Sequence, residues 1–151
     1  MTKNIAIIGV GGKMGIWFAK YFLTNGYEVI GYDNDNEIKT KGVSKANSLV
    51  GAVLKTDYVM LCTPTRRTPE IIRLIAKEMK RDSYLIEISS QKSKTAASLA
   101  KMPAKINPVC IHPMFGPGAK KLRDNTLSQY QLKMQKKNCR LLDRFFQVQI
   151  L

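Results

Sequence analysis

Histidine is nearly absent from this chain of 151 residues: there is one, His112. Cysteine is scarce as well. The three cysteines, Cys62, Cys110 and Cys139, are odd in number and far apart, which excludes a disulfide framework and any metal-binding spacing and fits a reducing cytoplasm. No apolar run approaches the length that spans a bilayer, so no membrane partner is expected. The N-terminus enters a strand directly, with no signal-peptide pattern. Acids are the other shortage, with 11 Asp and Glu against 25 Lys and Arg, a formal net charge of +14. Such a balance raises nucleic acid or an anionic ligand as partner. The distribution argues against nucleic acid. Residues 120 to 151 hold eight Lys or Arg against two acids, and the rest of the excess is spread thinly with no dense basic helix and no interleaved aromatics. Most of the charge reads as solvated surface. What remains, 44% hydrophobic and 24% charged residues, is ordinary for a globular domain large enough to bury a core.

The order of patterns along the chain gives the architecture. Lys3 to Ile8 is a short β-branched apolar run ending in glycines, and from Met14 the residues Trp17, Phe18, Tyr21 and Phe22 recur at helical spacing up to Asn25-Gly26. Tyr27 to Tyr32 reads as a second strand ending at Asp33. A weak helix or turn follows at Asn36 to Lys41, then a short strand near Gly42 to Lys45 and a helix over Ser48 to Leu54. Tyr58 to Cys62 is a strand broken by Thr63-Pro64. Thr68-Pro69-Glu70 reads as cap, first-turn proline and first-turn acid of an amphipathic helix running to about Lys80. Tyr84 to Ile88 is a strand, Ser89-Ser90-Gln91-Lys92 its carboxyl-end loop, Thr95 to Met102 a short helix, and Val109 to His112 the next strand. Strands alternating with helices at this spacing predict an α/β fold, a doubly wound, mainly parallel Rossmann-type sheet. Every polar turn named then falls on one edge, where open α/β sheets bind ligands.

Gly9-Val10-Gly11-Gly12-Lys13-Met14-Gly15 lies between the first strand and the first helix, the context in which a glycine motif suits a dinucleotide pyrophosphate. Its register is open. Gly9, Gly11 and Gly15 hold one residue too many for the usual spacing, while Gly12 and Gly15 in register put Val10 at the first glycine. Asp33, 22 residues beyond Gly11, is suited to accept hydrogen bonds from an adenosine ribose. No Arg follows it closely, which favours NAD, while Lys39 and Lys41 keep NADP open. Gly9, Gly11, Gly12, Lys13, Met14, Asp33, Thr63, Pro64 and Ser89 form the expected cofactor contacts, although a first-turn lysine such as Lys13 is more often simply solvated. Cys62 reads as a buried strand residue. His112 closes an apolar strand at the polar turn Pro113-Met114-Phe115-Gly116-Pro117, so the sheet edge would expose it as a catalytic base. For Ser90, a helix N-cap is as good a reading as a catalytic role.

Together, Lys13-Met14-Gly15-Ile16-Trp17-Phe18, Ser89-Ser90-Gln91-Lys92 and His112-Pro113-Met114-Phe115-Gly116-Pro117 resemble the prephenate dehydrogenase family, including its arogenate-using relatives. The resemblance covers roughly residues 3 to 118. It implies an NAD(P)-dependent oxidative decarboxylation of prephenate to 4-hydroxyphenylpyruvate in tyrosine biosynthesis. It further implies that His112 accepts the proton of the ring hydroxyl and that Ser90 orients histidine or substrate. The resemblance implies homodimers formed through a helical domain that also holds the substrate carboxylates; the chain is expected to end before that domain, which leaves open whether it is a monomer. The competing readings are a β-hydroxyacid dehydrogenase-like enzyme and a non-catalytic NAD-binding regulatory module.

The sequence divides into a dinucleotide-binding domain over 1–118 and an atypical basic tail over 119–151. From about Leu127 the tail has neither strand alternation nor a clean helical face, where the resemblance calls for a closing strand, a helix and another strand. Re-read two bases on, residues 128 to 150 can spell a strand followed by an amphipathic helix within codon wobble. A shifted coding frame, or a truncated end of the same domain, accounts for the mismatch.

Overall fold

The structure is a computed structural model that describes residues 3–90, 92–119 and 127–129. In chain order the elements are β1 (Asn4–Ile8), α1 (Lys13–Thr24), β2 (Glu28–Tyr32), β3 (Ser44–Lys45), α2 (Leu49–Val53), β4 (Tyr58–Leu61), α3 (Thr68–Ile75), β5 (Tyr84–Glu87), α4 (Lys92–Ala100), β6 (Asn107–Pro113) and β7 (Leu127–Gln129). Among the described residues the sheet runs β3-β2-β1-β4-β5-β6-β7. The first six strands are parallel, and β7 pairs antiparallel with β6 through Ile111↔Gln129, His112↔Ser128 and Pro113↔Leu127. The doubly wound, mainly parallel fold expected from the sequence is the one observed.

Alternation along the strands builds the two layers. Ile5 and Ile7 face Phe18, Ala19 and Phe22 of α1 together with Met60, Ile86 and Val109. Ala6 and Ile8 face the other way, onto Ala52 and Val53 of α2, Ile72 and Ile75 of α3, and Leu99 of α4. Burial on both faces explains why the strands read as continuous apolar runs. The strand order reverses direction between β1 and β4. A crevice therefore opens beyond the carboxyl ends of those two strands, beside the start of α1.

Three expectations shift. Over Asn36 to Lys41 the turn forms and the helix does not: Asp33 Oδ1 folds Asp35 and Asn36 into a bend, and a turn at Lys41–Gly42 closes with Val43 N–H on the Thr40 carbonyl at 3.3 Å. The helix at Thr68 ends at Ile75, short of Lys80, with turns following. Thr68 is its first helical residue and not its cap; its hydroxyl donates to the Pro64 carbonyl and lies 3.0 Å from the Thr63 hydroxyl. The helix near Thr95 begins earlier, at Lys92. Of the tail, Ala119 and β7 lie within the described residues; the rest of 119–151, including 130–150 of the re-read segment, lies outside them.

One contact sets how closely α1 rides on the sheet. A Cβ at Gly15 would stand 2.1 Å from the Gly9 carbonyl oxygen and 2.7 Å from the Val10 Cα, both backbone atoms that cannot move aside. Gly15→Ala is expected to cost about 1–3 kcal/mol of stability, whereas Gly116→Ala, where a Cβ meets nothing within 4 Å, leaves it unchanged. Urea denaturation of both variants checks this. Equal midpoints would contradict the close approach.

Candidate functional site

Gly9 takes φ +83 where the chain leaves β1, and a Cβ there would lie 2.6 Å from the Cys62 carbonyl oxygen. Only glycine fits. Its N–H donates to the Tyr32 carbonyl at 2.8 Å, and its own carbonyl accepts from Gly12 N–H at 3.2 Å, so the turn is fastened beside the end of β2. Gly9 makes the tight turn, a Cβ at Gly11 would run into Asn36, Gly12 caps α1, and Gly15, three residues beyond that cap, is where helix meets strand. Helix α1 opens at Lys13 after Gly12 with no side-chain cap and no acid in its first turn. Its first N–H groups and the positive end of its dipole are thus left for an anion.

Asp33 stands at the end of β2 and binds the glycine turn directly. Its Oδ2 accepts the Gly11 N–H at 2.9 Å; its Oδ1 accepts the N–H groups of Asp35 (3.0 Å) and Asn36 (2.8 Å) and the Asn36 side-chain amide (3.1 Å). Partial burial pushes the carboxyl pKa up, but the four donors together outweigh it and hold the group below its ordinary value. Oδ2 has one recorded donor and keeps capacity for a ligand hydroxyl.

The crevice has a cavity volume of ≈ 520 Å³. Gly9, Gly12, Lys13, Met14, Asp33, Thr63 and Pro64 all line it, together with Tyr32, Asp35, Ile71 and Leu74. Gly11 acts through its N–H on Asp33. Cys62 sits in the same wall, its thiol enclosed although the residue is half-buried, and that burial pushes its pKa far up. No thiolate is available there for nucleophilic chemistry. Arg67, which the sequence reading missed, enters from 32 residues beyond Asp35 and meets its Oδ2 at 2.5 Å. Proximity in sequence gave no signal for it. Lys39, by contrast, pairs with Glu37 at 3.3 Å and does not line the crevice.

Ser89, Ser90 and His112 lie on the same sheet edge but outside this crevice, past β5 and near the end of β6. Ser90 is exposed, two residues before α4, and Ser89 is buried. His112 is not the last residue of its strand, as expected. Pairing with β7 carries β6 on to Pro113, which leaves the imidazole half-buried, its Nδ1 enclosed and without a hydrogen-bond partner among the described residues. The turn beyond is tied back to α1: Trp17 Nε1–H donates to the Ala119 carbonyl at 2.7 Å, and its ring lies 4.7 Å from that of Phe115. Sequence reasoning also missed Glu87. Fully buried, it accepts the Ser89 N–H on Oε1 at 2.6 Å and the Cys110 thiol on Oε2 at 3.2 Å. An acid inside the apolar run Tyr84–Ile88 was the available signal.

A family model described as prephenate dehydrogenase, nucleotide-binding domain, matches residues 18–132. The match begins within α1, beyond the glycine turn, and contains Asp33, Thr63, Ser90 and His112. A probable arogenate/prephenate dehydrogenase of Methanocaldococcus jannaschii is 32% identical over 125 residues, covering 79% of this chain and 28% of that protein. Arogenate dehydrogenase 2, chloroplastic, of Arabidopsis thaliana is 26% identical over 122 residues, covering 76% and 33%. The chain spans between a fifth and a third of the length of the curated relatives it matches. Among solved structures, prephenate dehydrogenase from A. aeolicus in complex with hydroxyphenyl propionate and NAD+ superposes with a TM-score of 0.79 at 24% identity, covering 97% of this chain and 57% of that one. An imine reductase from Pseudomonas sp. superposes at 0.81 with 15% identity, covering 95% and 51%; it shares the fold alone.

Because the folded-state pKa of Asp33 is depressed, its contribution to stability is fully present above its ordinary value of 3.8 and is lost as pH falls through the lowered folded value. Asp33→Asn is expected to lower Tm at pH 7 and to flatten the fall of Tm on acidification below about pH 4. Melts across that range decide it; parallel acid slopes for the two proteins would contradict the assignment.

Proposed function

The chain belongs to the prephenate dehydrogenase family over its nucleotide-binding domain, and from that premise we propose that its crevice binds NAD and that its sheet edge serves the oxidative decarboxylation of prephenate or arogenate in tyrosine biosynthesis. The observation that carries this is the meeting of three features at one point: the glycine turn at Gly9, the uncapped start of α1, and the Asp33 carboxylate on Gly11. Backbone approach suits a pyrophosphate, and the acid suits a ribose diol. Lys13 and Met14, first in the helix, supply N–H groups to the phosphates, while Thr63 and Pro64 form the facing wall. NAD, when bound, provides the hydride acceptor.

The chemistry at the other end belongs to β5 and β6. His112 takes the proton of the ring hydroxyl on Nε2 as the ring loses carbon dioxide and becomes aromatic. The enclosed Nδ1 leaves Nε2 as the ring nitrogen for that role. Ser90, exposed on its loop, orients histidine or substrate, and Ser89 borders the nicotinamide end. This division places cofactor recognition and proton transfer on separate residues.

The test separates the two. Calorimetric titration is expected to show saturable binding of NAD+ that falls at least about tenfold in Asp33→Ala, the loss of charge-assisted hydrogen bonds. His112→Ala retains NAD+ affinity within about twofold and removes whatever NADH formation from prephenate the unsubstituted chain supports. Absence of saturable NAD+ binding would overturn the nucleotide site, and NADH formation surviving in His112→Ala would overturn the base.

A further inference from the structure

Among the described residues lining the crevice, Lys13 and Arg67 are the cationic ones, Lys13 at the start of α1 and Arg67 just before α3. Lys13 opens α1, beside the glycine turn. Arg67 stands across from the end of β2, where Asp33 faces the ribose. Its backbone is fixed: Arg67 N–H donates to the Pro64 carbonyl at 2.8 Å, and the Arg67 carbonyl accepts from Ile71 N–H at 3.1 Å as α3 begins. From that anchored start the guanidinium spans the crevice mouth to Asp35 Oδ2. Asp35 is itself tied to the ribose acid, since its N–H donates to Asp33 Oδ1 at 3.0 Å. Cation, partner and ribose acid are therefore consecutive members of one chain of contacts.

This arrangement bears on the group at the ribose 2′ position. A 2′-phosphate would bring close to two negative charges to a rim that holds Asp33, Asp35 and Glu70. Arg67 is the one lining residue there able to take such a phosphate in a bidentate fork, and Asp35 occupies it. We propose that Asp35 is a specificity-determining residue, which keeps the site selective for NAD over NADP by withholding Arg67 from the 2′ position. The inference rests on the nucleotide site proposed above. The pair suits this task because it is exposed, 52% for Arg67 and 61% for Asp35, so each partner contributes little to the fold and either can be changed without disturbing it.

The experiment is titration of the full chain with NAD+ and with NADP+ at low ionic strength, for wild type, Asp35→Asn, Arg67→Ala and the double variant. Asp35→Asn keeps the backbone N–H that Asp33 holds and removes the charge that holds Arg67. The expected result is a fall of about tenfold in the ratio Kd(NADP+)/Kd(NAD+) for Asp35→Asn, the worth of one charge-assisted contact. The ratio falls clearly less in the double variant, which loses the Asp35 charge without freeing an arginine, and does not fall in Arg67→Ala. The shift also shrinks as salt is raised, as an exposed ionic contact must. A ratio in Asp35→Asn within twofold of wild type, or a fall as large in the double variant as in Asp35→Asn, overturns the proposal while leaving the nucleotide site standing. Failure of every variant to bind either dinucleotide overturns both.

Discussion

The Asp33 carboxylate gathers four donors, from the glycine turn on one side and from Asp35 and Asn36 on the other. Through them it joins the glycine turn to the loop after β2, the two loops proposed to hold the nucleotide. The glycine turn cannot be displaced without losing Gly11 N–H, and the start of the loop after β2 is held by its own two N–H groups. An acid in this position is anionic at neutral pH because the donors outweigh partial burial. The same charge that shapes the loops is thus the charge presented to the ligand. Fold and recognition share one group, and the close approach of Gly15 to Gly9 keeps α1 aimed at it.

From this point the sheet edge divides into two neighbourhoods. Beside β1, β2 and β4 the surface is built from backbone: glycines, uncapped helix N–H groups and the Thr63-Pro64 wall. Beside β5 and β6 it is built from side chains, with Glu87 beneath the serine loop and His112 half-buried where β7 extends the sheet. Backbone recognition suits a polyanion whose shape is constant, whereas side-chain chemistry suits proton transfer to a particular atom. The tie from Trp17 to Ala119 links the two, since one end lies on α1 and the other beyond His112.

Much of this was legible from residues alone. The strands announced themselves as short β-branched runs because both sheet faces are buried, and the glycine turn and Asp33 were readable from spacing and context. Helix α1 showed its aromatic stripe. What escaped was decided by contacts between distant segments. Between helix and turn at Asn36 to Lys41 the residues did not decide, and the turn is what forms. Thr68 has capping chemistry but uses its hydroxyl on Thr63 and Pro64. Arg67 reaches Asp35 only because β4 adjoins β1 in the sheet. The position of His112 depended on an antiparallel strand drawn from a segment that reads as neither strand nor helix.

The central claim is that this crevice holds a dinucleotide against the start of α1 and the Asp33 carboxylate. Amide resonances report on that most directly, because the groups proposed to touch the ligand are N–H groups. Titration of 15N-labelled protein with NAD+ should shift the amides of Gly11, Lys13, Met14 and Asn36 along one saturation curve while Ala97 and Lys101, on α4 and just past its end, stay in place. Saturation confined to the glycine turn and the loop after β2 is the predicted result. Shifts that do not saturate, or that gather on α4 and leave Lys13 and Met14 unmoved, would contradict the account.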